Sequence, residues 1–246
     1  MTRPLEFALF RVFGIAKGTP LLVQTGEFVQ RTQKRYDDTV LILSEILEHG
    51  YDSERGNAAI VRTNKQHGRY QIPNDEYLYT LSTFVFEPVR WTEHYGWRKP
   101  TETEKLSSFY VWREIGKRTG IRDLPDSYAA FEQFNRDFER KHFYYSPDNE
   151  IIATATRNLF LSWMLPRWLY DVGAPFVHAL IDDNLLATVG LRPAPRWLQG
   201  MVRSSIWLRG RFVGLLPPRR HPHLLTREST PTYPEGYQIR ELGANP

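Results

Sequence analysis

Arg31, Arg35 and Thr39 follow one another at intervals of four in the stretch RTQKRYDDT. On a helix that spacing projects them from one face. A second stretch, VRTNKQHGRY at 61–70, carries Arg62 and His67. The short connection Gly50 to Ser53 favours antiparallel neighbours, so the two sets can face each other across a helical hairpin. Together they offer one imidazole, two or three guanidinium groups and a hydroxyl. That inventory suits an iron porphyrin, which asks for a neutral ring nitrogen on the metal, forked cations for its propionates and an alcohol near the open face. Two plainer readings stand beside it. A histidine closing a helix is commonly a partner of the helix dipole, and arginines four apart commonly form a solvated face. Spacing does not separate these readings.

The elements that must hold these residues read as helices. From Thr25 to Gly50, apolar Phe28, Val40, Leu43, Ile46 and Leu47 describe one helix with Gly50 as its stop. Ser53 caps a second that runs to about Gly68, with Ala59, Ile60 and His67 on one stripe and Arg62 near it. A third starts at Asn74, with Asp75 and Glu76 in its first turn, and is kinked or ended near Pro88. Thr101 and Glu104 have capping-box spacing and open a helix toward Gly120. Behind Pro125, Asp126 or Ser127 caps another, whose buried face is marked by Tyr128, Phe131, Phe134, Phe138 and Phe143. Further helices are predicted at 149–165, 167–189 and 195–215. The fold class is therefore all-α, a single multi-helix bundle over 1–216, followed by a proline-rich tail over 217–246 that wraps the surface or stays mobile.

The chain has 246 residues, enough to hide roughly 70–75% of the surface of its unfolded form. Its 7 Trp, 13 Tyr and 14 Phe exceed what a small helical core requires, and a disordered chain lacks such rings. No cysteine is present, which excludes disulfides, zinc ribbons, thiolate-ligated haem and thiol catalysis. The net charge is only +4, but Arg192, Arg196, Arg203, Arg209, Arg211, Arg219 and Arg220 gather late with few acids between them. That asymmetry points to an anionic surface as partner and away from nucleic acid. The stretch PLEFALFRVFGIAKG is interrupted by Glu6 and Arg11, and 158–181 by Arg167, Asp171 and two prolines, so neither reads as a signal or a membrane span. The expected location is cytoplasmic or peripheral to a membrane.

Five stretches in order carry a resemblance: KRYDDT at 34–39, AIVRTNKQHGRYQIPNDEYLYTLSTFVFEPVRW at 59–91, YGWRKPTETEK at 95–105, WREIGKRTGI at 112–121 and LPDSYAAF at 124–131. The chain resembles the DUF2236 family, which takes in MpaB-like oxygenases and, more distantly, the latex-clearing rubber oxygenases. The likeness runs from about residue 30 to about 215. It implies a globin-like helical fold holding haem b, with His67 as the proximal iron ligand, Arg35 and Thr39 in catalytic places at the haem pocket, and Arg35 and Arg62 binding the cofactor. It implies O₂ and a small apolar substrate (isoprenoid, lipid or polyketide-like) as partners, and oxidative cleavage of a carbon–carbon double bond as the reaction. The rubber oxygenases carry a lysine just before that threonine as a distal ligand. Here Asp38 stands in its place, so rubber is not the expected substrate.

Other residues invite alternative readings. Phe84, Phe86, Trp91, Trp112, Phe160 and Trp163 could line an apolar pocket, although rings at helical spacing are more often plain core. Glu87, in an apolar run, is either a buried base or an arginine's partner. Glu139 and His142 have the Glu-x-x-His spacing of di-iron bundles, but no second copy exists. His221 and His223 form a short HPH run in the tail. Trp197, Leu198, Met201, Val202, Leu208, Phe212 and Val213 give the basic helix at 195–215 a broad apolar face for peripheral membrane contact. A non-catalytic membrane-surface or lipid-carrier module is the alternative function.

Overall fold

Side-chain caps open the helices where local sequence places them. The computed structural model describes residues 2–217 and 221–244, with side chains from Leu5 onward. Among the described residues there are twelve α-helices and no strand: α1 Thr2–Val12, α2 Thr19–Thr25, α3 Glu27–Gln30, α4 Thr32–His49, α5 Glu54–His67, α6 Asn74–Tyr95, α7 Glu102–Arg118, α8 Tyr128–His142, α9 Pro147–Ser162, α10 Tyr170–His178, α11 Asp183–Thr188 and α12 Arg196–Val213. Ser53 Oγ accepts from the Gly56 amide at the start of α5, and Ser127 Oγ from the Ala130 amide at the start of α8. Thr101 and Glu104 form the reciprocal box that opens α7. Such caps satisfy amides that the first turn would leave orphaned.

Two stretches predicted as single helices are broken. The first is interrupted at Arg31, whose φ of −127° and ψ of 38° lie outside the helical region and separate α3 from α4, while Gly26, at φ 72°, turns the chain between α2 and α3. The predicted 167–189 helix is a 3₁₀ turn at Arg167–Leu169, then α10, then α11 with Asp182 as its cap. Pro88 sits inside α6, which continues to Tyr95.

The N-terminal apolar stretch is the central helix of the fold. α1 places Ala8 in one core cluster with Leu78, Phe86, Phe109, Trp112 and Phe131, and Phe10 in a second with Ile152, Leu185 and Leu186. Each of these larger side chains contributes about 1.5–3 kcal/mol by leaving water. The charges that interrupt α1 have distant partners. Glu6 accepts from the Tyr36 hydroxyl at 2.7 Å, and Arg11 reaches Glu139 on α8 and Asp182 before α11.

The tail binds the bundle as a strap over α4 and α5. The Leu225 amide and Thr226 hydroxyl donate to Glu48, each at 2.7 Å, the Thr232 amide to Asp37 at 3.0 Å, and the Tyr237 hydroxyl to Glu45. Tyr233 donates to one oxygen of buried Asp38 at 2.6 Å while Lys34 donates to the other at 2.7 Å. Leu242 is fully buried, and its carbonyl accepts from Arg62 Nε at 2.6 Å. Tyr233→Phe removes one donor from a buried carboxylate and is expected to destabilise by about 1–3 kcal/mol. A lowered urea midpoint with an unchanged slope checks this. Arg219 and Arg220 of the arginine run lie outside the described residues.

Candidate functional site

α4 and α5 form the antiparallel hairpin that the short Gly50–Ser53 connection predicts, and it brings Arg35 and His67 within electrostatic reach. Arg35 leaves α4 toward α3, where its guanidinium carbon lies 4.9 Å from the centre of the Phe28 ring. One Arg35 N–H donates to Thr39 Oγ1, and the Thr39 hydroxyl donates to the Arg35 carbonyl at 2.8 Å, so the threonine fixes the cation. The Arg35 guanidinium makes no other hydrogen bond and no ion pair among the described residues. Burial lowers its pKa, opposed by the more distant charges of Asp38 and Glu27. It stays cationic all the same. Arg31, by contrast, is mostly exposed and pairs with Glu27.

His67 closes α5 with its ring 5.3 Å from that of Tyr77. His67 is an exposed residue at the end of α5, with the Tyr77 ring and the Arg35 charge to one side of it. Burial first, then repulsion from Arg35, pushes its pKa down to about 4. The imidazole is therefore neutral near neutral pH, and among the described residues neither nitrogen has a hydrogen-bond partner. Unfolding returns its pKa to about 6.5, so between these values the unfolded chain binds the extra proton. This group's contribution to stability is complete above about 6.5 and is lost as pH falls toward 4. His67→Phe is expected to flatten that part of the pH–stability curve, as read by thermal unfolding across the window.

Arg35 and Thr39 also line an enclosed cavity of about 30 Å³. Its walls are Leu9, Phe13, Phe28, Leu159 and Phe160, and its polar groups include Glu6 and Thr156. The Thr156 hydroxyl is buried without a hydrogen-bond partner, an orphan at the cavity wall. The volume holds a water- or O₂-sized body and no macrocycle. His67 is not among the lining residues. An open groove of about 780 Å³ runs along α9, with Val29, Ile151 and Ala155 as apolar wall and Arg167 and Tyr170 at one side. Thr32 and Leu159 belong to both groove and cavity, so the two adjoin.

Residues 13–221 match the family model described as "ER-bound oxygenase mpaB/B'/Rubber oxygenase, catalytic domain". This chain belongs to that family. Similar relatives include the ER-bound oxygenase mpaB' of Penicillium brevicompactum, 32% identical over 235 residues covering 87% of this chain and 55% of the relative. The ER-bound oxygenase mpaB of Penicillium roqueforti (strain FM164) is 29% identical over 198 residues, 73% of this chain and 66% of the relative. The mpaB of Penicillium brevicompactum is 30% identical over 175 residues, 64% of this chain and 45% of the relative. This member of the MpaB/rubber-oxygenase family thus spans 45–66% of the length of these relatives.

Within this MpaB-family chain, Arg35, Thr39 and His67 come together at the hairpin, whereas the Arg62 Nε is held by the strap at the Leu242 carbonyl. Asp38 faces Lys34 and Tyr233. Glu87 accepts from Arg90 at 2.7 Å, so it is an arginine's partner. The Glu-x-x-His reading fails, because Glu139 is gripped by Arg11 through both oxygens and His142 stacks on Phe138 at 4.3 Å. No cluster of three or more His, Asp or Glu able to hold a metal occurs among the described residues. His223 pairs with Glu228 at 2.6 Å. Of the six rings offered as pocket lining, Phe160 alone reaches the cavity; Phe84, Phe86 and Trp112 are core, and Trp91 stacks on Phe7. Glu6 and Thr156 were not foreseen at the site. A charge inside the apolar N-terminal stretch was the available signal for Glu6.

Proposed function

We propose that this chain is a haem b-dependent oxygenase that uses O₂ on an apolar isoprenoid-, lipid- or polyketide-like substrate, by oxidative cleavage of a carbon–carbon double bond. The observation that carries the reading is a cation without an anion. Arg35 is partly buried, hydrogen-bonded to Thr39 and unpaired by any carboxylate within ion-pair distance among the described residues. A partly buried cation without an ion-pair partner is stabilised by the arrival of an anionic group. A porphyrin propionate is such a group, and neutral His67 beside it has lone-pair character to offer a metal. Membership of an oxygenase family supports the same reading.

Haem b, when bound, supplies the activation of O₂. His67 would hold its iron, and Arg35, oriented by Thr39, would neutralise a propionate. Arg62, tied to the strap, steadies the end of α5 from which His67 projects. The macrocycle would lie against the exposed side of the His67 ring, because the enclosed cavity is far too small for it and His67 lines neither that cavity nor the groove along α9. The groove along α9, within the range of small-molecule sites, gives an apolar substrate its approach. Turnover of a polyprenyl substrate under ¹⁸O₂ is expected to give carbonyl products carrying the label. Turnover with unlabelled product would reject direct oxygenation.

A further inference from the structure

Large apolar side chains accumulate on one part of the surface, outside the site. Trp168 is 78% exposed and Val172 66%, with Phe176 one turn further on in α10. On α12, Trp197, Met201, Leu208 and Phe212 recur at helical spacing as a single outward stripe, with Trp197 71% and Phe212 62% exposed. α10 and α12 pack on each other through Ala179, Ala194 and Leu198. The stripe cannot turn inward. Gly210 faces the Tyr95 carbonyl so closely that a Cβ there would sit 2.1 Å from it, which fixes the rotation of α12 about its axis.

Charge accompanies the apolar stripes. From Asn184 to Pro217 there is no Asp or Glu, while Arg192, Arg196, Arg203, Arg209 and Arg211 fall in the same span. Arg203 donates to the Ala179 carbonyl and Arg211 to the Trp97 carbonyl. The side chains of Arg192, Arg196 and Arg209 make no ion pair or hydrogen bond among the described residues. Tryptophan and long aliphatic side chains on a helix flanked by arginines and itself free of acids are the composition of a helix lying in a lipid headgroup layer, and the neighbouring α10 adds one exposed acid, Asp171. Arginine stems cover apolar surface while their heads reach phosphate.

We propose that the face formed by the Arg167–Leu169 turn, α10 and α12 docks on an anionic bilayer surface. Trp168, Trp197, Leu208 and Phe212 enter the interfacial layer, and the unpaired arginines meet lipid phosphates. Arg167, next to Trp168, lines the groove along α9, so docking brings the groove's edge to the lipid. An apolar molecule dissolved in the bilayer then reaches the groove without crossing water. The docking surface needs no iron, so its test is independent of the cofactor.

Flotation of the full chain with vesicles of phosphatidylcholine containing about one-third phosphatidylserine, against phosphatidylcholine alone, reads this directly. Binding is expected to be about tenfold tighter or more on the anionic vesicles and to weaken with added salt. Trp168→Asp combined with Leu208→Asp is expected to lose binding to both, with unchanged thermal unfolding, because both positions are exposed. Arg196→Gln with Arg209→Gln is expected to remove about tenfold of the anionic preference. Tyr110→Asp, exposed on α7, is expected to bind as before. Absence of flotation on either vesicle, or flotation indifferent to the aspartates, overturns the proposal. So does a dimer in solution that Leu208→Asp splits, which would give the face to a second copy of the chain.

Discussion

Protein reconstituted with haem b is expected to show a Soret band, and His67→Ala is expected to abolish it, with at least about a 100-fold loss of haem affinity. The size follows from removing the imidazole that, on the proposed reading, would hold the iron. The fold should survive, because the His67 ring makes no hydrogen bond among the described residues and its burial opposes its charged form. Thermal unfolding of the haem-free variant at neutral pH should match that of the parent. Arg35→Met should weaken haem binding by a smaller factor, since it deletes a propionate's partner and leaves the iron's ligand in place. Glu139→Gln should leave the band unchanged. A Soret band of equal strength in the His67→Ala protein would remove the imidazole from its assigned role.

The largest effect on stability is expected at Arg11. Its Nε and Nη2 donate to the two oxygens of Glu139 at 2.9 and 2.8 Å, its Nη1 donates to Asp182 at 2.6 Å, and Glu87 lies 3.5 Å away. Tyr79, fully buried, donates to the same Glu139 at 2.9 Å. Burial alone would favour the neutral form of Arg11, but Glu87 and Glu139 hold its pKa well above the ordinary value. Arg11→Met leaves Glu139 enclosed with a single phenol for company. Removing one partner of a buried pair costs about 3–5 kcal/mol. In a chain of this size that lowers Tm by roughly 6–20 °C. Adding Glu139→Leu should restore part of the loss, because the stranded charge goes with it. A loss under about 1 kcal/mol for the single substitution would mean that the network is not anchoring α1, α8 and α11.

Helix starts were legible because a cap is a local device: Ser53, Thr101 and Ser127 bond to amides three residues on. The break at Arg31 was harder, since arginine is a good helix former and gives no local sign of a stop. α1 went unread as a helix because Glu6 and Arg11 looked like interruptions, and the groups that absorb the Arg11 charge are 128 and 171 residues away. At the site, spacing put Arg35 and Thr39 on one helix face and His67 on the next helix, but it did not separate a site from a solvated face, and their roles rest on the family resemblance. Thr156 was not, because it arrives from α9 and nothing near it in the chain marks it. The placing of Arg62 depends on Leu242, 180 residues later.

That long reach governs the order in which the molecule can mature. Asp37, Asp38 and Glu45 are buried on α4, and each takes hydrogen bonds from residues 232–237. A ribosome delivers the hairpin early and its fastenings nearly two hundred residues later. Until then the carboxylates of α4 have reason to stay in water, and the helix that carries Arg35 has reason to remain loose. The final fastening of α4, the helix that carries Arg35 and Thr39, therefore waits until residues 232–237 have been synthesised.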